Sequence, residues 1–572
     1  MQREKWFVAG KRADFKEIGA KFGIDQVTAR IIRNRDITED AAIEKYLNPC
    51  LSDLYSAHLM KDMDRLAAIL KRKIQEKKAI RIIGDYDIDG VSSTFILLEG
   101  IRRAGGIVTA AIPDRMKDGY GINENLIAQA KADGADTIIT CDNGIAAIEA
   151  IAYAKELGLT VLVTDHHDIP YTEENGVRTY RRSLADAIVN PKQDECAYPF
   201  DGICGAVVAW KAVQVLYEVC GIPAEEAMEF LEIAAFATVG DVMDLADENR
   251  IIVKHGLEQM RCTKNPGLRA LIRQKEVVPE RLGAYHLGFV LGPCLNASGR
   301  LDTAVRSLKL LSAQREEDAA VLAAELAGLN EERKALTTEG LKEAEETIQA
   351  QKLYEKKVMV VYLPKLHESL AGIVAGRIRE RYHHPVFVLT QSEEGIKGSG
   401  RSIEAYSMYE ELCKCQDLFT KFGGHPMAAG LSMPQEHLRA LDERLNAYAD
   451  LTEDDFIPKV LIDVPMPLSY VTKALVQELG VLEPFGKGNP KPVFADRQIR
   501  VLEKRVVGKH RNVLKMTLED LGGGRYPAVY FGDVETFLEF LNEKDLISIV
   551  YYPELNSYMG REEVPFVVSG YC

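Results

Sequence analysis

Two α/β lobes joined by a long helix and followed by a small β-barrel are the fold that this sequence of 572 residues predicts. Three observations lead there. Short β-branched runs alternate with amphipathic helical runs from residue 79 onward, a charged helical stretch interrupts the pattern, and the last part of the chain carries short strands without intervening helices.

In chain order, residues 1–60 read as an N-terminal extension and 61–260 as the first lobe. In that lobe the runs AIRIIG, GIVTAAI, DTIITC and TVLVT are strands, separated by helical segments such as VSSTFILLEGIRRAG and IAAIEAIAYAKELG. Near-continuous apolar strands fit a parallel sheet covered on both faces. Residues 261–352 form an interlobe segment ending in a helix over Glu316–Lys352, where Leu322, Leu326, Leu329 and Leu336 recur on one face. Residues 353–455 form the second lobe, with strands KKVMVVYLP and PVFVLT around the helix LAGIVAGRIRERY, then Gly-rich turns at GIKGSGRS and FGGHPMAAG. Residues 456–572 carry KVLIDV, PVFADRQIRVLEKRVV, VLKMTLED, RYPAVYFG and LISIVYY, the strands of an antiparallel barrel.

Composition narrows the function classes. A hydrophobic fraction of 47% excludes a disordered chain, and no run of about 18 uncharged apolar residues suggests a membrane span. Ten cysteines without a regular framework, and a start lacking a leader-like apolar stretch, point to the reducing cytoplasm. Cys413 and Cys415 lack two further ligands at zinc spacing and read as ordinary thiols. A net charge of −15 argues against indiscriminate coating of nucleic acid. Charge can nevertheless segregate: between Arg497 and Lys515 seven basic residues face the single Glu503, either a nucleic-acid face or a solvated strand pair.

The strongest chemical signal is Gly84-Asp85-Tyr86-Asp87-Ile88-Asp89-Gly90, at the junction of a strand and a helix. Three alternating carboxylates repel one another unless a cation lies among them. The spacing also opens an EF-hand loop, but Val91-Ser92-Ser93-Thr94 lacks the remaining ligands and the bidentate Glu. Asp142-Asn143-Gly144 and Asp165-His166-His167 follow two further strands, so all three clusters converge at the carboxyl edge of one sheet. Asp241, after the apolar helix LEIAAFA, can approach from the opposite wall. Each Asp alone reads equally well as a helix cap, and each His as a surface or satisfied core group. Capping requires neither two adjacent histidines nor three alternating aspartates. Mixed carboxylate and imidazole donors favour Mn²⁺ or a similar ion over a thiolate zinc site.

Asp165-His166-His167 resembles the signature of the DHH phosphoesterase superfamily, and Asp85 to Gly90 resembles its first motif. The resemblance implies two Mn²⁺ ions, with Mg²⁺ as an alternative, held by Asp87, Asp89, Asp142, His166 and Asp241. Asp142 would bridge them, and Asp85 and His167 would act as catalytic or supporting groups. Lys397-Gly398-Ser399-Gly400-Arg401-Ser402 and Gly423 to Gly430 resemble the DHHA1 domain. That likeness implies substrate contacts from Ser399, Gly400, Arg401 and Gly424 and a catalytic His425 reaching across the cleft.

Leu291 to Leu301, Pro113-Asp114-Arg115 with Gly119-Tyr120-Gly121, and Leu482 to Pro490 resemble the RecJ branch, the last leading into an OB-fold. Arg115 and Arg300 become phosphate contacts on this reading. The resemblance covers about residues 20–570; Cys294 departs from it, standing where the family more often has a basic residue. It implies a 5′ to 3′ exonuclease for single-stranded DNA that releases 5′ mononucleotides in repair and recombination, excluding duplexes by width. A RecQ-type helicase and a single-strand-binding protein are the implied partners. The rivals are a DHH/DHHA1 phosphodiesterase for short oligonucleotides or cyclic dinucleotides, a pyrophosphatase of the superfamily, and a silent replication scaffold.

Overall fold

The computed structural model describes residues 4–114, 121–174, 177–393, 395–508, 511–558 and 561–572. They fall into two compact units: Cys50–Thr452 with Gly486–Gly488, and the remainder, made of the chain up to Pro49, Glu453–Phe485 and Asn489–Cys572.

In the first unit, after a helix over Met63–Gln75, strand β1 (Ala79–Ile83) runs into helix α1 (Ile88–Arg103), and the chain continues through β2 (Ile107–Ala111), β3 (Thr137–Cys141), β4 (Thr160–Thr164) and β5 (Ala187–Val189). All pairings are parallel and the order is β2-β1-β3-β4-β5. Every residue of β3 is buried, as an inner parallel strand requires. The winding reverses between β1 and β3, which leaves a crevice beyond their carboxyl ends. Helices α2 (Gly205–Cys220) and α3 (Leu231–Gly240), apolar almost all round, pack with α1 in the core beneath it.

Helix α4 (Gly292–Leu301) precedes the connecting helix α5 (Glu316–Ala350). Leu322, Leu326 and Leu329 of α5 pack on the first lobe's core, whereas Leu336 and Leu341 pack on that of the second. The leucine stripe is what ties the lobes to one rod.

The second lobe contains β6 (Met359–Tyr362), α6 (Ala371–Tyr382), β7 (Val386–Ser392), β8 (Gly395–Arg401), β9 (Lys421–His425) and β10 (Ala428–Met433), in the sheet order β9-β10-β8-β7-β6. Here the expectation of Gly-rich turns is corrected: GIKGSGR and the flanks of Pro426-Met427 are antiparallel strands. The glycines serve lateral packing. A Cβ on Gly398 would lie 2.2 Å from Leu389 Cδ2, and one on Gly400 would lie 2.7 Å from both Phe387 Cε1 and Met408 Sδ.

In the other unit β11 (Phe494–Val507), β12 (Val513–Glu519), β13 (Arg525–Phe531), β14 (Ile547–Pro553) and β15 (Phe566–Tyr571) close a five-stranded barrel in the order β11-β12-β13-β15-β14, with β14 returning to β11. The β13–β15 pairing is parallel and the others antiparallel, and a helix over Val534–Glu543 follows β13. This is the OB topology expected from the sequence. Val27, Ile31, Ile32 and Ile43 of the N-terminal segment complete the same core as Phe494, Phe537 and Tyr551. Among the described residues no helix is long and apolar enough to cross a membrane.

Candidate metal centre and substrate cleft

The loop after β1 must double back before α1 begins, and Gly90 permits it: a Cβ there would lie 2.6 Å from Asp85 Cα. Asp87 is the N-cap of α1, its Oδ1 accepting from the Asp89 and Gly90 amides at 3.0 Å each. The capping role and a ligand role are compatible in one carboxylate, because the cap engages only Oδ1.

Asp89 is fully buried. Its Oδ2 accepts from the Gly205 amide at 2.7 Å and its Oδ1 from the Ala206 amide at 2.8 Å, so the N-terminus of α2 holds it in place. Gly205 is also pressed against Asp142: an added Cβ would meet Asp142 Cβ at 2.8 Å and Oδ1 at 3.0 Å. Asp142 has a left-handed backbone, φ 59°, that follows β3 and turns its carboxylate into the crevice. The Asn143 side chain fixes this turn through bonds to the Ile83 and Cys141 carbonyls at 3.2 and 2.9 Å.

His166 lies at the end of β4, its Nε2 3.1 Å from Asp142 Oδ1, 3.5 Å from Asp89 Oδ2 and 3.7 Å from Asp241 Oδ2. Asp241 caps the C-terminal end of α3 and completes the far wall. Asp165 is taken up by backbone amides and by His167. Its Oδ2 accepts from the Ile145 amide at 2.8 Å, while Oδ1 receives the His166 and His167 amides and stands 2.8 Å from His167 Nδ1. Asp165 therefore orients the His167 imidazole and the backbone of the His166-His167 pair, a role that the motif alone did not assign.

Among the described residues ligand atoms converge in three groups, each with all its atoms within 4.8 Å of one another: Asp85, Asp87 and Asp142; Asp89, His166 and Asp241; Asp142, His166 and His167. The electrostatics are those of a cation site. Burial, then the charges of Asp89, Asp87, Asp85 and Asp165, push the Asp142 carboxyl well above the carboxylate range. Burial and the charge of Asp89 raise Asp87, and burial with Asp89 and Asp87 lifts Asp241 to about 8. Burial also depresses His166, leaving a neutral imidazole suited to coordination. His167 goes the other way: although burial lowers it, its bond to Asp165 and the charges of Asp165, Asp89 and Asp241 lift it to about 9. So much unshared anionic charge, with hard oxygens and one or two imidazoles as donors, fits a divalent metal centre.

The interlobe segment braces this loop from the side. Asn296 Oδ1 accepts from the Ile88 amide at 2.8 Å, and Gly299 lies under Tyr86, where a Cβ would be 2.3 Å from the Tyr86 carbonyl oxygen. Cys294 is buried and donates to the Val290 carbonyl, so the departure from the family pattern sits in the core.

Beside Tyr86 a cavity of about 560 Å³ opens between the lobes, lined by Arg300, Gly372, Lys397, Ser399, Arg401 and Lys421 among others. Arg300 donates to the Ser369 carbonyl at 2.8 Å; Arg401 donates to Ser399 Oγ at 3.1 Å and to the Gly400 carbonyl at 2.7 Å. Burial and the neighbouring Arg379 lower the Arg401 guanidinium. Gly372, at the start of α6, makes room: its Cβ would lie 2.8 Å from Arg401 Nη2 and 2.9 Å from Ser399 Oγ. The basic Arg300, Lys397, Arg401 and Lys421 and the hydroxyl of Ser399 share this lining with Glu368, which pairs with Lys397 at 3.0 Å.

Two expectations need adjustment. A Cβ on Gly400 would point to the core side of β8, so only its backbone is open to a substrate, while strand alternation puts Ser399 and Arg401 on the open face. Gly423 lines the cavity where Gly424 was expected; Gly424, at φ 150°, instead allows Ala428 and Ala429 to approach. His425 is exposed; Asp168, two residues past His166, is held low by its bond from Lys192 at 2.8 Å, with a smaller contribution from the charge of His425. Arg115 and Gly119-Tyr120 lie outside the described residues.

Family models match three segments: the DHH family, N-terminal domain, over 79–238; the DHHA1 domain over 355–450; and the RecJ OB domain over 462–570. A single-stranded-DNA-specific exonuclease RecJ of Bacillus subtilis is 37% identical over 558 residues, spanning 97% of this chain and 69% of that protein. Crystal structures of RecJ from Thermus thermophilus superpose over the whole chain. The Mn²⁺ complex matches with a TM-score of 0.83 at 28% identity over 79% of its length, and the Mg²⁺ complex with 0.76 at 26% over 78%.

Proposed function

The chain belongs to the RecJ family of single-stranded-DNA-specific exonucleases, and we propose that it degrades single strands stepwise from the 5′ end, releasing 5′ mononucleotides. The observation that carries this reading is the juxtaposition, through Tyr86, of the carboxylate-imidazole centre with a cationic cavity large enough for a terminal phosphate.

Asp87, Asp89, Asp142, His166 and Asp241 are the proposed ligands of two Mn²⁺ ions, with Mg²⁺ as a substitute. When bound, the ions supply Lewis acidity and neutralise charge at the scissile phosphate. The protein's own groups do the rest. Ser399, Arg401 and Arg300, together with Arg115, grip the terminal phosphate and set the distance from strand end to cut. His167, its Nδ1 2.8 Å from Asp165 Oδ1, stands beside the ligands, while Asp85 holds its place next to Asp87 and Asp142. His425 reaches the scissile group from the second lobe. A duplex end would be rejected sterically, by width. The barrel, with its basic run from Arg497 to Lys515, serves longer strands and favours this reading over an enzyme confined to dinucleotides.

In the cell the protein would work in the cytoplasm, in repair and recombination, beside a RecQ-type helicase and a single-strand-binding protein. Strands labelled at one end or the other, digested with Mn²⁺, test the polarity. Release of labelled mononucleotide from the 5′ end at the earliest times is expected; prior loss of the 3′ label would overturn it.

A further inference from the structure

Arg300 and Ile373 line two cavities: the one beside Tyr86, and a second of about 490 Å³ between α4, α5 and α6. Arg333 and Lys334 reach the second from α5 and Arg377 from α6, and no carboxylate is in its lining among the described residues. Its charge is therefore more one-sided than that of the first, where Glu368 stands among the cations.

Arg333 is half-buried and makes no ion pair among the described residues: its Nε and Nη2 both donate to Asn330 Oδ1, at 3.1 and 2.9 Å. Burial lowers this guanidinium and the charge of Arg377 adds to that, against the opposite pull of Cys294 and Glu331. Lys334 and Arg377 are paired, with Glu331 at 3.0 Å and Glu380 at 3.3 Å, but these four side chains are 49–63% exposed. Exposed pairs of this kind contribute about 0–1 kcal/mol, so a phosphate dianion can take both cations over. At the rim the wide helical turn His286–Leu291, which leads into α4, carries Phe289. This residue is 70% exposed, and its ring stacks on that of Tyr285, itself 66% exposed, at 5.3 Å between centroids and 26° between planes. An exposed aromatic ring next to a guanidinium without a carboxylate suits a nucleotide, the base on the ring and the phosphate on the fork.

We propose that this cavity binds a nucleoside 5′-monophosphate, with the phosphate on Arg333 and Arg377 and the base against Phe289. Arg300, common to both linings, puts the site next to the cavity that takes the strand's terminal phosphate, so a mononucleotide cut at the metal centre has a station beside it. The naming of the ligand rests on the release of 5′ mononucleotides proposed above; the cations and the ring do not. The volume lies within the range of small-molecule sites.

Calorimetric titration of the full-length protein at pH 8 without metal tests this, with deoxyadenosine 5′-monophosphate as probe and deoxyadenosine and inorganic phosphate as its two halves. The Arg401→Ala protein is used, so that the grip of the first cavity does not contribute. A Kd on the order of 1 mM is expected for the nucleotide, with deoxyadenosine about tenfold or more weaker and phosphate severalfold weaker. Arg333→Gln in the same background weakens the nucleotide by about tenfold or more. Thr338→Trp does the same, filling the cavity from an exposed position on α5 and leaving Arg333 intact. Circular dichroism and thermal melting establish that each variant folds. Absence of nucleotide binding, equal affinity for either half, or undiminished affinity in either folded variant would overturn the inference. Strand polarity does not enter: with neither metal nor strand present, failure of the 5′-end assignment leaves these isotherms unchanged, and failure of binding leaves the end-label result unchanged.

Discussion

Replacing Gly205 by alanine tests how the metal centre is held. The new Cβ would stand 2.8 Å from Asp142 Cβ and 3.0 Å from its Cα, whereas carbon atoms in ordinary contact are about 3.5–4.0 Å apart. Something must move by roughly 0.7–1 Å on those spacings. Helix α2 cannot retreat without lengthening the 2.7 and 2.8 Å bonds by which its first amides fix Asp89, and Asp142 cannot retreat without leaving His166. Either way one proposed ligand shifts. Overpacking of this kind costs about 1–3 kcal/mol of stability, while a misplacement near 1 Å at a reacting centre costs about a hundredfold in rate. Calorimetric Mn²⁺ titration, steady-state turnover of a 5′-labelled single strand, and melting of the metal-free protein separate the two effects. The expected result is a modest loss of melting temperature with at least about tenfold weaker Mn²⁺ binding and about a hundredfold lower kcat. Wild-type metal affinity and turnover in G205A would refute the coupling of α2 to the two carboxylates.

Asn296→Ala deletes the bond to the Ile88 amide and leaves that donor buried, so it should cost about 1–3 kcal/mol in denaturant melts and weaken Mn²⁺ binding severalfold. Lys211→Met strips the cationic partner from fully buried Glu248, 2.7 Å away, and should destabilise by about 3–5 kcal/mol without changing kcat of the surviving folded protein. Arg401→Lys keeps a positive charge but loses the planar fork between Ser399 and the Gly400 carbonyl; KM for 5′-phosphorylated strands should rise about tenfold or more, with less effect on strands lacking the phosphate. Glu232 gives a pH signature. Its folded value, about 7, lies above the ordinary 4.5, so between those values the folded state holds a proton that the unfolded state has released. Stability therefore falls as pH rises through that window and levels off above 7. Relative to E232Q, the wild type should lose about 3 kcal/mol between pH 4 and pH 8 in urea titrations, an order-of-magnitude figure from about 1.36 kcal/mol for each pH unit separating the folded and unfolded values.

The gathering of Asp87, Asp89, Asp142, His166 and Asp241 in one crevice was legible in the sequence because such a donor set is chemically improbable as structure. Asp87 shows the limit of that logic: it does cap α1, and only its second oxygen is left for an ion. The supports were not legible. Gly205 and Ala206 act through amides, which any residue type carries, and the only trace is a glycine opening an apolar helix. Asn296 and Gly299 were noticed as a motif, but their targets, Ile88 and Tyr86, are some two hundred residues away in the chain. In the second lobe the error was one of period. Glycines in GIKGSGR suggested turns, while lateral crowding by Phe387, Leu389 and Met408 demanded the absence of side chains within strands. The same strand alternation that points Ser399 and Arg401 to the cavity turns the Cβ position of Gly400 away. The barrel's strand pattern was plain from β-branched alternation, whereas the contribution of Val27, Ile31 and Ile43 to its core depended on contacts that local sequence does not encode.

The most direct test is a crystal soaked in Mn²⁺ and measured at the manganese absorption edge. Two anomalous peaks are expected, one within coordination distance of Asp87 and Asp142 and the other of Asp89, His166 and Asp241, and both should vanish in the Asp142→Ala protein. Peaks elsewhere, or a crevice without manganese in an enzyme that still digests single strands, would contradict the assignment.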